Sequence, residues 1–310
     1  MSRKKEAELA DTIKDKLIRY NKSVRSLPGI DNPQNLSCFV QQIIDSVRRI
    51  KYVTAIRDNT SDALCAMPNA PGFNPIRAAA WYLRSGNVNE AYWLIFLITH
   101  FGKNKTSGWG LLEAVYGNLG HSSIWDWNKV CGNVEEFITW IDENQENIKA
   151  AGNFGNHRKY EALMASGTGR TIRSYIEWVG PDLDHQKKIK AVFEFAPNNR
   201  RTRFNELYKS MNTVFRFGRM AKFDYLSMVG KLGVIDIEPG SVYMQGATGP
   251  YQGSCLLFEG NDSIKMDRKV VNDLLSDLEN YLNIPFGMQV LEDAICNWHK
   301  NPAEYEHFSG

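Results

Sequence analysis

The chain has 310 residues, of which 43% are hydrophobic and 12% aromatic, and its 37 basic side chains nearly balance its 35 acidic ones. This composition excludes a disordered chain and a small disulfide scaffold, and the length is enough for one large domain or two. A net charge of +2 is also too small to mark a dedicated nucleic-acid-binding protein.

The charge is unevenly distributed along the chain. Residues 157–231 carry 15 basic and seven acidic side chains, whereas residues 232–310 carry four and twelve. Such a division is typical of a face that follows phosphates beside a face that carries carboxylates. A solvated helix surface would carry the same charges, so both interpretations stay open at this point.

Helical spacing of apolar residues dominates the chain and predicts an all-α fold. Residues 1–30 form a charged segment, and residues 31–310 are expected to form a single helical domain. Within that domain, an arrangement of two helical lobes with a cleft between them is the alternative. The predicted helices span about 38–50, 76–85, 89–101, 109–117, 134–150, 169–179, 186–195, 201–217, 221–232, 267–282 and 287–300. The Gly-rich stretch 241–258 predicts a loop or a short hairpin instead.

Targeting and redox signals favour a cytoplasmic protein. The N-terminus lacks the apolar region of a signal peptide, and the longest apolar run, residues 91–98, is too short for a membrane span. Five widely spaced cysteines without a C-x-x-C pair predict reduced thiols.

Familiar catalytic motifs, such as the P-loop, H-E-x-x-H and G-x-S-x-G, are absent from the sequence. The six histidines also lack ligand spacing among themselves or with cysteine. The sequence therefore predicts neither a metal nor a cofactor, and any catalysis must come from carboxylates, amides, aromatic rings and basic groups.

Two segments in the first part of the chain combine cations with hydrogen-bonding groups. Residues 99–110 place Lys103 in a Gly-punctuated turn, which favours a phosphate contact. Residues 154–161 hold a set that can bind a base edge and neutralise a phosphate, namely Asn156, His157, Arg158 and Lys159. An ordinary helix connection and a helix N-terminal turn are the respective alternatives.

Two further segments bring carboxylates into similar surroundings. Asp224 stands alone among three cations spaced by three residues, Arg216, Arg219 and Lys222. Such a carboxylate would stay ionised and could activate a nucleophile, although an ion pair with Arg216 or Arg219 is the alternative. The helix predicted over 287–300 carries an unusual polar set, namely Gln289, Glu292, Asp293, Asn297 and Trp298, which must be used or satisfied by inter-helix hydrogen bonds.

These segments, in this order, resemble a known family. Five motifs look like the third clade of the α-glutamyl/putrescinyl thymine pyrophosphorylases. In chain order they are FNPIRAAAWYLRSGNVNEAYWLIFLITHFGK, FGNHRKYE, FRFGRMAKFDYLSMVGKLG, IEPGSVYMQGATGP and GMQVLEDAICNWHK. The resemblance implies a DNA-glycosylase-like helical fold, a catalytic domain over residues 31–310, and a modified pyrimidine in double-stranded DNA as substrate.

The resemblance also implies two alternative reactions. One is excision of a hypermodified base such as glucosylated 5-hydroxymethylcytosine by an anti-phage DNA glycosylase, which leaves an abasic site. The other is displacement of pyrophosphate from an activated hydroxymethyl-pyrimidine by an amine or amino acid. A non-catalytic module that recognises modified DNA is a third interpretation.

Because the base must leave the duplex for either reaction, the polar residues divide into three expected roles. The catalytic candidates are Asp224, Glu292 and Asp293. The candidates for base or substituent binding are Asn156, His157, Gln245, Thr248, Tyr251, Gln289, Asn297 and Trp298, with residues 245–251 expected to cover the flipped base. The candidates for the DNA backbone are Lys103, Arg158, Lys159, Arg216, Arg219 and Lys222.

Overall fold

A computed structural model describes residues 3–307 of the chain. Within them the fold is all-α, as predicted, and strand-like pairing is limited to one isolated bridge between Asn104 and Gly108. The α-helices are α1 (Arg3–Ser23), α2 (Pro33–Asp58), α3 (Pro75–Arg84), α4 (Val88–Phe101), α5 (Gly110–Tyr116), α6 (Trp127–Gly132), α7 (Val134–Glu143), α8 (Gln145–Ala151), α9 (Arg170–Val179), α10 (His185–Phe193), α11 (Arg200–Ser210), α12 (Arg219–Lys231), α13 (Gly249–Glu259), α14 (Arg268–Leu282) and α15 (Gly287–Trp298).

The chain divides into two compact units. Residues 53–238 form the central unit, and the terminal unit combines residues 3–52 with residues 239–307. The charged N-terminal segment belongs to the latter, where α1 buries Ile13, Leu17 and Tyr20. Its Lys16 ammonium also donates a hydrogen bond to the carbonyl oxygen of Leu282 at 2.6 Å.

The net charges of the two units differ less than the net charges of the basic and acidic sequence segments. The acidic segment 239–307, with four basic and ten acidic side chains, belongs to the same unit as residues 3–52, which carry eleven basic and six acidic ones. The two parts together have a net charge of −1, and residues 53–238 have a net charge of +3. The contrast between a basic and an acidic segment is therefore largely neutralised within each unit.

The Gly-rich stretch 241–258 differs from its prediction. Residues 241–248 form turns, but the helix α13 begins at Gly249 and continues to Glu259. A Cβ atom on Gly253 would lie 2.5 Å from the carbonyl oxygen of Ile295, and one on Gly249 would lie 2.8 Å from the Cys296 sulfur. These glycines therefore allow α13 and α15 to pack closely instead of interrupting a helix.

Other helix boundaries also differ from the spacing pattern. The helix predicted over 38–50 is longer, because it begins at Pro33, where the Asn32 side chain accepts a hydrogen bond from the Gln34 amide at 2.8 Å. The one predicted over 134–150 is divided at Asn144, whose side chain donates to the carbonyl oxygen of Trp140. The helix predicted over 201–217 ends at Ser210.

The core of the central unit is built around α4, whose residues from Glu90 to Phe101 are all buried. A stacked aromatic pair, Phe96 and Tyr175, lies at its centre with a ring separation of 3.9 Å. The Tyr175 hydroxyl is 2.8 Å from the hydroxyl of Tyr225 and 2.8 Å from Nε2 of His185. These bonds connect α12, which carries Tyr225, to α9 and α10.

Glu90 is a buried carboxyl group in the same core. It accepts hydrogen bonds from the Tyr116 hydroxyl at 2.7 Å and from the Trp127 amide at 2.8 Å. Burial raises its pKa to about 7, although the two hydrogen bonds oppose that shift. The native state therefore binds the Glu90 proton more tightly than the unfolded chain does.

This difference predicts a pH-dependent loss of stability. As the pH rises from about 4.5 to above 7, the unfolded chain loses the Glu90 proton first, so the shift costs up to about 3 kcal/mol of stability. Glu90→Gln, which cannot titrate, should show a correspondingly flatter pH profile in urea unfolding. Seven of the eight tryptophans lie within residues 53–238, so tryptophan fluorescence reports on this unit. Parallel profiles for the two proteins would contradict the assignment.

The five cysteines are free thiols, and Cys38, Cys65 and Cys255 are buried. Among residues 3–307, no helix combines the length and the apolar character that crossing a bilayer requires.

Candidate functional site

A pocket of about 140 Å³ lies in the central unit where two loops meet α12. One loop follows α4 and contributes Lys103, and the other contains the turn Asn156–Arg158. α12 supplies Asp224 from its second turn. The fold thus brings together five predicted site residues from three separate segments: Lys103, Asn156, His157, Arg158 and Asp224.

Two glycines allow the loops to approach each other this closely. Gly102 has a φ of +66°, in the left-handed region that favours glycine, and its Cα faces Gly155 across the contact. The Gly155 amide donates to the carbonyl oxygen of Phe101 at 2.8 Å, and the Asn104 side chain donates to the carbonyl oxygen of Phe154 at 3.0 Å. The pocket wall is therefore backbone held against backbone.

Arg158 forms the buried part of this wall, with 8% of its surface exposed. Its Nε donates to the carbonyl oxygen of Thr99 at 2.9 Å, and its guanidinium lies 5.7 Å from the ring centre of Phe217. Nη2 is buried and has no hydrogen-bond partner among residues 3–307. Burial lowers the pKa of this guanidinium, whereas the carboxylates of Asp224 and Glu161 raise it, and arginine remains charged.

Asp224 and His157 form the accessible part of the pocket. The Asp224 Oδ2 lies 3.9 Å from Nδ1 of His157, and both side chains are partly exposed, at 40% and 48%. The neighbouring Tyr225 is buried and hydrogen-bonded in the core, so the helix that carries the carboxylate is anchored next to the pocket. A carboxylate here can stabilise a developing positive charge or accept a proton from water.

A buried histidine stabilises the end of the loop that contains the Asn156–Arg158 turn. The His100 Nε2 lies 3.0 Å from the Thr168 hydroxyl, which donates to the carbonyl oxygen of Ala162 at 2.9 Å. Burial lowers the pKa of His100 to about 3, with a further contribution from the Arg158 and Arg216 cations. The imidazole is therefore neutral and donates to Thr168, which anchors the end of the loop.

A second pocket, of about 540 Å³, adjoins the same loops. Phe154 and Lys159, which flank the Asn156–Arg158 turn, belong to its lining, as does Asn104 next to Lys103. Its other polar groups include Gln145, Lys149, Asn153 and Glu161. The strip of chain from residue 153 to residue 161 therefore contributes to two pockets of different size.

The three spaced cations do not form one exposed row. Arg216 precedes α12, has a φ of +53° and lies 3.9 Å from Glu161 rather than beside Asp224. Arg219 is half-buried at the first residue of α12. Lys222 is buried, with its ammonium bonded to the Asn212 side chain and 4.2 Å from the Tyr208 ring centre. Lys222 is consequently unavailable to a DNA backbone in this conformation.

The carboxylates of α15 lie in the terminal unit, in a different environment. Asp293 pairs with Arg49, whose Nε and Nη2 donate to it at 3.0 and 2.5 Å, and it accepts from the Asn297 side chain at 3.3 Å. Glu292 is half-buried beside it. The indole N–H of Trp298 donates to the carbonyl oxygen of Asn35 at 3.1 Å inside the core. Asp293 and Trp298 therefore form the inter-helix hydrogen bonds that the sequence pattern left open as the alternative to a functional role.

The remaining predicted residues of the terminal unit also have distinct positions. Gln245 and Thr248 are exposed on the turns before α13. Tyr251 lies within α13, where its hydroxyl donates to the carbonyl oxygen of Met266 at 2.7 Å and thus has a structural partner. Gln289 has a buried side-chain oxygen without a hydrogen-bond partner in residues 3–307.

Sequence patterns missed the groups that shape the pocket. Thr99 acts through its backbone carbonyl, and Gly155 acts through the absence of a side chain, so neither offers a chemical group to a motif search. Met228 follows Asp224 by one helical turn and contributes an apolar wall. Only the separation of four residues on α12 could have indicated its place.

No group of three or more His, Cys, Asp or Glu side chains capable of holding a metal ion occurs among residues 3–307. The ionisable groups that line the first pocket are one carboxylate, one imidazole and two cations.

Neither the curated proteins nor the solved structures include a match to this chain. Residues 34–310, however, match a family model described as alpha-glutamyl/putrescinyl thymine pyrophosphorylase clade 3, a name that denotes enzymes acting on a modified thymine. The match covers nearly the whole chain and confirms the predicted resemblance, so the protein belongs to this family.

Proposed function

We propose that the protein is a DNA glycosylase that excises a hypermodified pyrimidine, such as glucosylated 5-hydroxymethylcytosine, from phage DNA. The observation that carries this proposal is the position of Asp224, a partly exposed carboxylate in a pocket that also holds Lys103, His157 and Arg158. Membership of a family named for a modified thymine supports a modified pyrimidine as the substrate class.

The reaction breaks the bond between C1′ of the deoxyribose and the ring nitrogen of the base. As the bonding electrons leave with the base, positive charge develops on the sugar, and the Asp224 carboxylate stabilises it. Water then adds its hydroxyl group to C1′. Its proton passes through Asp224 to the departing base.

The cations act on the leaving group. A pyrimidine that departs with the bonding electrons is anionic, and Arg158 and Lys103 stabilise that charge. Arg158 suits this task because its Nη2 is buried without a partner and can donate to a base oxygen at no cost in existing hydrogen bonds. His157, beside Asp224, completes the set of groups that can move a proton.

Base excision can be tested with a panel of duplexes that differ in one nucleotide. Duplexes containing glucosylated 5-hydroxymethylcytosine, unglucosylated 5-hydroxymethylcytosine, 5-hydroxymethyluracil or plain cytosine are incubated with the protein. The expected result is a free modified base, detected by mass spectrometry, and alkali-labile strands with at least one modified duplex but not with plain cytosine. Intact strands and no free base across the panel would refute the proposal.

A transferase is the second candidate, and one observation favours it. The buried, unpartnered Nη2 of Arg158, with Lys103 in the same pocket, also suits a diphosphate group. An amine nitrogen would attack the 5-methylene carbon, lose a proton and release pyrophosphate. This reaction predicts intact strands, a heavier nucleoside and released pyrophosphate, and only when pyrophosphorylated DNA and an amine donor are both supplied.

A further inference from the structure

Tyr160 is an exposed aromatic residue beside the candidate site. Tyr160 is 79% exposed, whereas one nearby residue on each side is buried: Arg158 is 8% exposed and Leu163 is 4% exposed. The preceding residues line the first pocket, and Lys159 and Glu161 line the second. Tyr160 therefore projects from the strip of chain that contributes to both pockets.

The turn that carries Tyr160 is rigidly fixed. The Glu161 amide donates to the carbonyl oxygen of Arg158 at 2.9 Å, which closes a turn with Lys159 and Tyr160 at its tip. One residue later, the carbonyl oxygen of Ala162 accepts from both the amide and the hydroxyl of the buried Thr168, each at 2.9 Å. The ring is thus held out into solvent from an anchored base rather than from a loose loop.

The surroundings of the ring are cationic. The Lys159 ammonium lies 5.1 Å from the centre of the Tyr160 ring, and Nη2 of Arg216 approaches the Tyr160 carbonyl oxygen at 3.5 Å. A single exposed ring is common at protein surfaces, so the groups that surround this ring, rather than its exposure, indicate a function. An aromatic ring among cations next to a pocket is suited to stacking on nucleic-acid bases whose phosphates the cations contact.

We propose that the Tyr160 ring enters the base stack of the duplex and occupies the gap left when the modified nucleotide turns into the pocket. This inference rests on the proposed action on a base within duplex DNA, and it holds equally for excision and for substitution. Tyr160 is a positioning residue, because it lowers the cost of extrusion without touching the reacting atoms. Turning out a paired base costs a few kcal/mol, and stacking an inserted ring offsets part of that cost.

Base extrusion can be measured without any reaction. Duplexes carry 2-aminopurine next to the modified pyrimidine, and its fluorescence rises when the stack opens. Measurements use saturating protein in an Asp224→Asn background, which slows turnover by about 10²- to 10⁴-fold. Tyr160→Ala should lower the extrusion equilibrium by about 5- to 150-fold, the range expected for loss of one stacked aromatic ring. Tyr160→Phe and Tyr160→Trp should preserve the signal.

Phe195 provides a matched control, because it is an equally exposed aromatic residue of the central unit, at 89%, between α10 and α11. Phe195→Ala should leave the fluorescence signal unchanged. In the enzyme with Asp224 intact, the rate defect of Tyr160→Ala should disappear when the modified base lies in single-stranded DNA, where no stack has to be opened. A merely structural role would give the same defect on both substrates.

Three outcomes would overturn the proposal: a Tyr160→Ala signal equal to that of the unsubstituted protein, the same defect on duplex and single strand, or the absence of extrusion by the unsubstituted protein. Failure of the proposed function looks different. In that case no modified DNA reacts, whereas the fluorescence of the bound duplex still shows whether the Tyr160 ring is needed for extrusion.

Discussion

Asp224→Asn should reduce the rate of base release by about 10²- to 10⁴-fold, the usual effect of removing a positioned acid–base group. The substitution keeps the size of the side chain but removes the negative charge that stabilises the sugar cation and accepts the proton of water. The side chain is 40% exposed and its nearest ionisable contact, His157, is 3.9 Å away, so the fold should be unaffected. The rate is measured under single-turnover conditions with the duplex that reacts best.

Asp293→Asn is the matched control, because it removes a carboxylate from the other unit. Asp293 is ion-paired with Arg49 and both side chains are partly exposed, so we expect a rate within a few-fold of the unsubstituted protein and a stability loss of at most about 1 kcal/mol. The reverse result, an unchanged rate for Asp224→Asn and no activity for Asp293→Asn, would show that the catalytic carboxylate is on α15.

DNA binding separates catalysis from recognition. Asp224→Asn should bind modified duplex at least as tightly as the unsubstituted protein, because removing a carboxylate lowers repulsion with the phosphates. If substitution of Asp224, Glu292 and Asp293 leaves the biological activity intact, whereas substitution of Lys103 or Arg158 abolishes it, the protein is a recognition module and not an enzyme.

Helical spacing was sufficient to predict most of the fold. The segments predicted over 89–101 and 267–282 agree within a residue with α4 and α14. The apolar residues of α14 recur at steps of three and four, whereas α4 contains a continuous apolar stretch that is buried on all sides. The pattern failed at α13, where glycine has a packing role that depends on α15, a helix almost forty residues away. Propensity describes a residue and its neighbours in the chain, so it cannot contain such a contact.

The candidate site was predictable to a similar extent. Residue chemistry was sufficient to select Lys103, His157, Arg158 and Asp224, which three separate segments bring into one pocket. It also selected Lys222, whose charge is buried, and Asp293, whose charge is neutralised by Arg49. The difference is one of burial and partners, and both are set by tertiary packing.

The charge distribution also depends on tertiary packing. Separate basic and acidic segments suggested a division of labour between phosphate binding and catalysis. The acidic C-terminal segment folds with the basic N-terminal one. The structure therefore has no separate basic unit for phosphate binding and acidic unit for catalysis. Both charge types needed for the proposed reaction instead occur within the first pocket, where Asp224 lies with Arg158 and Lys103.

Gly155→Ala should disrupt the site without removing any of its chemical groups. A Cβ atom at this position would lie 2.9 Å from the Cα and carbonyl carbon of Gly102 and 3.0 Å from the amide nitrogen of Lys103. All three are backbone atoms, so no side-chain rotation relieves the contact and the two loops must separate. We expect a stability loss of about 1–3 kcal/mol, as for other overpacked sites, measured by urea unfolding.

The effect on the reaction should be larger than the effect on stability. Separation of the loops displaces Lys103 and Arg158 from Asp224, and a displacement of about 1 Å can cost about 10²-fold in rate. Gly72→Ala is the control, because a Cβ there has no neighbour within 4 Å, and it should change neither property. A Gly155→Ala protein with unchanged rate and stability would show that the loops tolerate separation. In that case the close backbone contact would not be what positions Lys103 and Arg158 relative to Asp224.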